Sequence, residues 1–542
     1  LSPGGGVYPR NAKSLDLSPQ ARALLGFSPT QVVSGEEAIR AILLLKVDLC
    51  WMGGIGTYVK SKEETNADVG DKANDAVRVN SNQLRFKVMS EGANLAITDR
   101  GRVGFARIGG QNYTSFLDNS GGVDTSDHEV NIKILFAPLL ASGKVSRERR
   151  NEVLKAATTE VCEMVLANNR SQSRMVSYDV RRSRVDVYRY ARTLSYLVQH
   201  VPFNPDTFGL PTEEELANRA RKGTGLYKAD ASTLCAYAKM LVYRQLLDGE
   251  PLSEPLVERM VREYFPAAIV EAASDAVKTH LLRREIATTM VVNRIIDNAG
   301  ATFFAELITG SGRPAHAIAE AYMTASAAGD VDVLRRDLYA CEDKNRQEAV
   351  YRAMTVVESA LEETTVVLLE GDAYKAIDQR TIDRARELLD HVEQALPPAH
   401  IPHLHARVHE FEAAGFPAAL AGRLARIEHL TGALVSLRMA AETGRDPLDV
   451  LRLRLQVAAD MHLRSLQDAL ARMVYQSPWD GPAAKALSRQ LHGHLGRLVR
   501  ACNGDDVAGM ISRLGLDSIR RQGAAMLEGG VTIPGIVLFD DH

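Results

Sequence analysis

The chain has 542 residues, 45% hydrophobic and 25% charged, with Lys+Arg 65 against Asp+Glu 68 for a net charge of -3. These fractions describe about three or four folded, domain-sized units and exclude wholesale disorder, while so balanced a charge offers no field for nucleic acid. The longest apolar runs, Ile134–Ala141 and Ala41–Leu45, fall short of the roughly 20 residues of a membrane helix, and Cys50, Cys162, Cys235, Cys341 and Cys502 are scattered and odd in number, as reduced thiols of a cytosolic protein are.

The chain opens on Leu-Ser-Pro-Gly-Gly-Gly, without Met and already in loop-like composition. The expectation is a piece of something longer. Ser34 and Glu37 have capping-box spacing ahead of Ala38-Ile39-Arg40-Ala41-Ile42-Leu43, which is apolar on one face and reads as a helix. Val47–Trp51 is short and mostly apolar and stops at Gly53-Gly54, as a buried parallel strand does. Leu84, Phe86 and Val88 alternate with Arg85 and Lys87 until Glu91-Gly92 ends the run, which predicts a second strand. Strand and helix patterns that alternate in this way predict α/β architecture with a parallel sheet. Binding residues then belong on loops at the carboxyl ends of the strands: Met52–Tyr58, Ser90–Asn94 and Asp118–Ser126.

Glycine marks where the pattern changes, with 16 of the 40 glycines in the first 125 residues. Beyond about residue 127 helical periodicity takes over, as in Val153–Leu166, Gln347–Leu369 and Pro482–Cys502, punctuated by Pro and Gly. No repeat of fixed period supports a solenoid. Val531–Phe539 reads as a last strand-like piece, either a docking tail or frayed.

Three loops carry polar groups. Gly53, Gly54 and Gly56 follow a strand, where backbone N–H groups can approach a ligand, but the spacing is neither a dinucleotide fingerprint nor a P-loop and by itself favours a plain tight turn. Asn94 closes Glu91-Gly92-Ala93-Asn94. Its amide both donates and accepts, which suits a ribose hydroxyl or a carboxamide, and the same residues fit an Asx turn. In Asp118–Glu129 two glycines permit close backbone approach, and Ser126 with the first helical N–H groups favours a carboxylate or phosphate. The plainer reading makes Asp124, Thr125 or Ser126 an N-cap, with His128 and Glu129 in the first turn. His405 and His409 have a helical i,i+4 spacing that zinc sites use, yet lack the metalloprotease Glu between them and read as a solvated face. No metal site and no Ser-His-Asp or Cys-His arrangement is assembled.

Taken together, Val47–Lys60, Asn66–Asp75, Glu91–Asn94 and Asp118–Lys133 closely resemble the large bacterial NAD-specific glutamate dehydrogenases, densely over about residues 4 to 140. The likeness thins through the helical part and is best at Arg262–Pro266 and His280–Ile286. The resemblance implies the second half of a Rossmann-like nucleotide-binding domain over 1–140 and a large all-α domain over 141–542. It implies NAD as cofactor, and L-glutamate, 2-oxoglutarate and ammonia as substrate and products. By the same likeness Asn94 and Asn119 contact the nicotinamide end, Gly92, Gly53, Gly54 and Gly56 shape the cofactor side, and Ser126 meets a carboxylate of glutamate. At Met52 the relatives usually carry Asn. The family's catalytic lysine and acid match nothing here, so no catalytic residue is assigned and the chain alone is expected to be incompetent. A homo-oligomer, typically a tetramer, in the cytoplasm is also implied. The rival readings are a helical interaction protein that retained dehydrogenase loops, and a dehydrogenase for another amino acid.

Overall fold

The computed structural model describes residues 1, 3–473, 475, 477–502 and 506–540. The chain is mostly helical and forms two compact units. One comprises 1–187, 193–243 and 254–301; the other comprises 188–192, 244–253 and 302–542.

The first unit holds the described strands. Helix α1 (Gly35–Leu43) starts where the capping box requires: Ser34 Oγ accepts from Glu37 N at 3.2 Å, and Glu37 accepts from Ser34 N at 2.8 Å. Strands β1 (Leu49–Met52) and β4 (Val88–Glu91) pair in parallel, with Leu49 opposite Val88 and Met52 opposite Glu91. Strands β2 (Val59–Lys60) and β3 (Val79–Asn80) form a second parallel pair. The expected parallel pairing is therefore present, as two short pairs in place of one continuous sheet. Met52, Val59, Val79, Phe86, Met89 and Phe105 share one core, and Phe105 comes from helix α2 (Asp99–Arg107).

Expectation and structure part on the other face of β1. A parallel strand is ordinarily covered on both sides, but here Leu49 is 58% and Trp51 66% exposed, and Val88 beside them is 40% exposed. No residue of the apolar run is buried: Cys50 is half-buried, and only Met52 at its end enters the core. Two long helices follow, α3 (Ser120–Ala141) and the 37-residue α4 (Arg147–Ser183), whose N-cap Ser146 accepts from Arg149 N.

The second unit is all helix. Helix α5 (Gln347–Leu369) is buried along most of its length, and Glu358 on it is salt-bridged to Arg335 and accepts from Tyr322 Oη at 2.8 Å, all three side chains being buried. An antiparallel hairpin, α6 (Leu430–Thr443) and α7 (Pro447–Asp460), turns at left-handed Gly444 and is capped by Asp446. It packs with α8 (Leu463–Ala471) and α9 (Asp480–Ala501) around Val457, Leu466, Leu491 and Met510. The strand-like expectation for 531–539 is overturned: α10 (Ile533–Asp540) is a helix whose Ile536 is completely buried in that core. A single apolar run does not distinguish a strand from a buried helix. Trp479, at the start of α9, is 78% exposed. No described helix is long and apolar enough to cross a membrane.

Candidate functional site

The carboxyl ends of β1 and β4 build a polar corner. After Glu91 the chain folds over the end of β1, Gly92 N and Ala93 N both donating to Met52 O at 2.8 and 3.2 Å. The loop is held further on by Ala96 O, which accepts from Tyr58 N and Val59 N, and by Leu95 O, which accepts from Thr57 Oγ1. Leu95 itself has φ of 64°, a conformation that costs a non-glycine residue of order 1 kcal/mol. The surrounding bonds over-determine it. Glu91 anchors the whole corner from inside, accepting from Ala96 N at 2.7 Å and forming a fully buried ion pair with Arg102 of α2.

On this frame Asn94 is exposed, and Asn119, 25 residues on, reaches it. Asn119 Nδ2 donates to Asn94 Oδ1 at 2.6 Å and to Ala93 O at 2.9 Å. That leaves the Asn94 amide N–H groups and the Asn119 carbonyl oxygen with no partner among the described residues. One donor and one acceptor side by side are what a carboxamide or a ribose hydroxyl needs. Asp118, next in chain, accepts from Glu91 N at 3.1 Å, and burial pushes its carboxyl up to about 6.

The glycines divide by role. Gly53 O accepts from Ile55 N in a tight turn, and Gly54 faces open space. A Cβ on Gly56 would fall 2.1 Å from Asn74 Nδ2 and 2.4 Å from Asp71 Oδ2, so that glycine seats a polar network in which Asp71 also takes Thr57 N. A Cβ on Gly92 would fall 2.8 Å from Cζ2 of Trp51: the indole lies across the position a side chain would occupy. Met52 is buried and its sulfur lies 3.6 Å from Cys50 Sγ.

The expected loop 118–126 is corrected by the structure. Helix α3 begins at Ser120, and Asn119 occupies its N-cap without a side-chain capping bond. Asp124, Thr125 and Ser126 are thus inside the helix, and His128 and Glu129 lie beyond its second turn. Thr125 Oγ1 donates back to Gly121 O, and Asp124 accepts from Asn168. Ser126 is exposed, seven residues from Asn119. Seven residues bring an α-helix back to nearly the same face, about 10 Å further along.

His128 is 1% exposed and stacked on Tyr264 at 4.4 Å, with burial holding its pKa below the ordinary imidazole value and Nδ1 unpartnered. Tyr264 in turn accepts from Asn131 at 2.9 Å. Spacing gave no hint of this stack, because its members lie 136 positions apart by number. Elsewhere, Asn112 of the sequon Asn112-Tyr113-Thr114 is 3% exposed, which closes it to modification. His405 sits on Glu393 at 2.9 Å, exposed, and no cluster able to hold a metal ion occurs among the described residues.

The comparisons with known proteins bear on both parts of the chain. Residues 1–179 match the family described as bacterial NAD-glutamate dehydrogenase, catalytic domain, and residues 223–506 match glutamate dehydrogenase, C-terminal. The NAD-specific glutamate dehydrogenase of Halomonas elongata is 34% identical over 487 residues, which is 89% of this chain and 30% of that protein. The protein of the same name from Pseudomonas aeruginosa is 33% identical over 505 residues, 91% of this chain and 30% of its own length. That of Mycobacterium tuberculosis is 43% identical over 310 residues, 56% of this chain and 19% of its own. The chain spans at most about three-tenths of the length of these relatives. With the C-terminal family covering more than half of its residues and the catalytic-domain family covering its front, the chain belongs to the bacterial NAD-specific glutamate dehydrogenases.

Proposed function

We propose that this chain is part of an enzyme that oxidatively deaminates L-glutamate to 2-oxoglutarate and ammonia, with NAD taking the hydride. The observation that carries the reading is the Asn94–Asn119 pair at the carboxyl ends of two parallel strands, with Ser126 on the same helical face two turns beyond. In this reading 1–140 is the second half of a Rossmann-like NAD-binding domain and 141–542 a helical C-terminal domain. Asn94 and Asn119 hold the nicotinamide end through the free donor and acceptor of their amides. Gly92, Gly53, Gly54 and Gly56 shape the adjoining backbone, and Ser126 donates to a carboxylate of glutamate. The lysine and the acid that such chemistry requires are assigned to no residue of this chain. They belong to the rest of the enzyme, which we take to be a cytoplasmic homo-oligomer, tetrameric by likeness to its family.

The test is glutamate-dependent NADH formation by this chain and by a version extended through the upstream domains. We expect turnover in the extended protein only. There, Ser126→Ala should raise KM for glutamate about tenfold or more, the value of a hydrogen bond to a charged group, with a smaller change in kcat. Turnover by the short chain, or an unchanged KM in the variant, would sink the respective assignments. Two folded but inactive proteins would sink the reading as a whole.

A further inference from the structure

Asn119 is not the only residue of its turn that reaches the end of β4. Its chain neighbour Asp118 does so as well: Asp118 Oδ2 accepts from Glu91 N at 3.1 Å, while Asn119 Nδ2 donates to Ala93 O and Asn94 Oδ1. Two consecutive side chains therefore hold both ends of the segment Glu91–Asn94, one by its first N–H and the other by its last carbonyl and amide. Gly92 N and Ala93 N tie the same segment to β1 through Met52 O. Among the described residues, only the bonds of Asp118 and Asn119 tie it to the start of α3. They are not equivalent. The Asn119–Asn94 bond joins two side chains in the exposed part of the corner, where both amides can turn together without breaking it. The Asp118 bond takes a main-chain N–H of β4, so it fixes backbone.

Asp118 is itself firmly seated. It ends the short helix Ser115–Asp118, in which its own N–H donates to Thr114 O at 3.1 Å. Leu117 beside it is buried, and Asn169 Nδ2 of α4 donates to Leu117 O at 2.8 Å and to Ser120 Oγ at 3.0 Å. The charges that act on its carboxyl come from three elements: Glu91 of β4, Arg102 of α2 and Lys228 of the helix Lys228–Asp248. A carboxylate beside the buried carboxylate of Glu91 is an expensive acceptor for one N–H, since a neutral amide oxygen would accept it too. What the charge adds is strength, because a charge-assisted hydrogen bond is roughly twice as strong as a neutral one. Groups held against burial in this way collect at functional sites.

We propose that Asp118 is a positioning residue for the nicotinamide end of the cofactor, holding Glu91 N against the start of α3 and so setting the Asn94 and Asn119 amides in register with each other. The proposal rests on the reading of those two amides given above. Asp118 acts through them and through the main chain. When its bond opens, the segment 91–94 drifts from α3 and fewer molecules hold both amides in place. Apparent cofactor affinity then falls by the competent fraction. Ser126 lies two turns further along α3, so the glutamate end should be nearly untouched.

Two measurements test this. In the present chain, hydrogen exchange is followed by mass spectrometry on the peptide 89–95, with no cofactor added. Asp118→Ala should speed exchange at Glu91 N about tenfold or more, the value of a hydrogen bond to a charged group, and Asp118→Asn, which keeps an oxygen, should stay near wild type. In the protein extended through the upstream domains, Asp118→Ala should raise Kd for NAD about tenfold while KM for glutamate stays within about twofold, and Asp118→Asn should recover most of the NAD affinity. Unchanged exchange or unchanged NAD binding in Asp118→Ala overturns the proposal. So does equal weakening in both variants, or a loss of glutamate and NAD affinity together, which would mark general loosening. Asn119→Ala separates this failure from that of the underlying reading. If it weakens NAD binding and Asp118→Ala does not, only the positioning role falls; if it leaves NAD binding intact, the cofactor reading falls and takes the positioning role with it. Should Asp118→Ala fail to fold, Asp118→Glu, whose oxygens sit one carbon further out, is read in its place with the same expectations.

Discussion

At the scale of single residues, the corner at the ends of β1 and β4 works by fixing small groups in costly places. Asp118 is the clearest case, its carboxyl being raised to about 6 by burial. Between its unfolded value near 4 and about 6 the folded state holds more protons than the unfolded one. Stability therefore falls as pH rises through that window and is flat above it. Asp118→Asn keeps an oxygen for Glu91 N and removes the buried charge, so it should gain about 2–3 kcal/mol at pH 8 and little below pH 4. Denaturant titrations at the two pH values check it, and an equal effect at both would contradict the burial argument. Gly92 makes a second case. Its Cβ would strike the Trp51 ring, so Gly92→Ala should cost about 1 kcal/mol in the native background and almost nothing beside Trp51→Ala. Asn94 was legible in the sequence as a polar residue after a strand, whereas Asn119 came only from the family resemblance and follows a short helix, Ser115–Asp118. That they bond to one another was not legible, because the contact joins positions 25 apart through the backbone path that Met52 O imposes.

Among elements, what could be read depended on how local the determinant was. Four residues decide the start of α1, and Ser34–Glu37 formed as its spacing predicted. The start of α3 was misread for the opposite reason. Gly121 and Gly122 each disfavour a helix by about 1 kcal/mol, yet distant contacts override that preference. Asn169 of α4 donates to Leu117 O and Ser120 Oγ, and Gly121 packs where a Cβ would meet Val165 at 3.6 Å. The tail was misread because its apolar run has no period, and only the core it enters makes α10 a helix. Ile536→Asp should consequently undock α10 and lower the stability of the second unit by about 2–4 kcal/mol. Unchanged unfolding of that unit would mean the tail contributes nothing to it.

For the molecule as a whole, the bare face of β1 and β4 is the most consequential feature. Leu49, Trp51 and Val88 form an apolar patch on a sheet whose class is normally covered on both sides. Leu49→Lys with Val88→Glu, an opposite-charge pair across the register, should cut the fluorescence of a bound hydrophobic dye at least severalfold without lowering stability, and dye binding that survives both changes would place the apolar surface elsewhere. The same exposure has a use in spectroscopy. The chain has two tryptophans; Trp51 lies in the first compact unit and Trp479 in the second. Both indoles face solvent, so replacing either with Phe should leave a nearly intact fold that reports optically on one unit at a time. Two emission curves recorded on two such proteins would reveal whether the units melt together or in sequence, with no label attached.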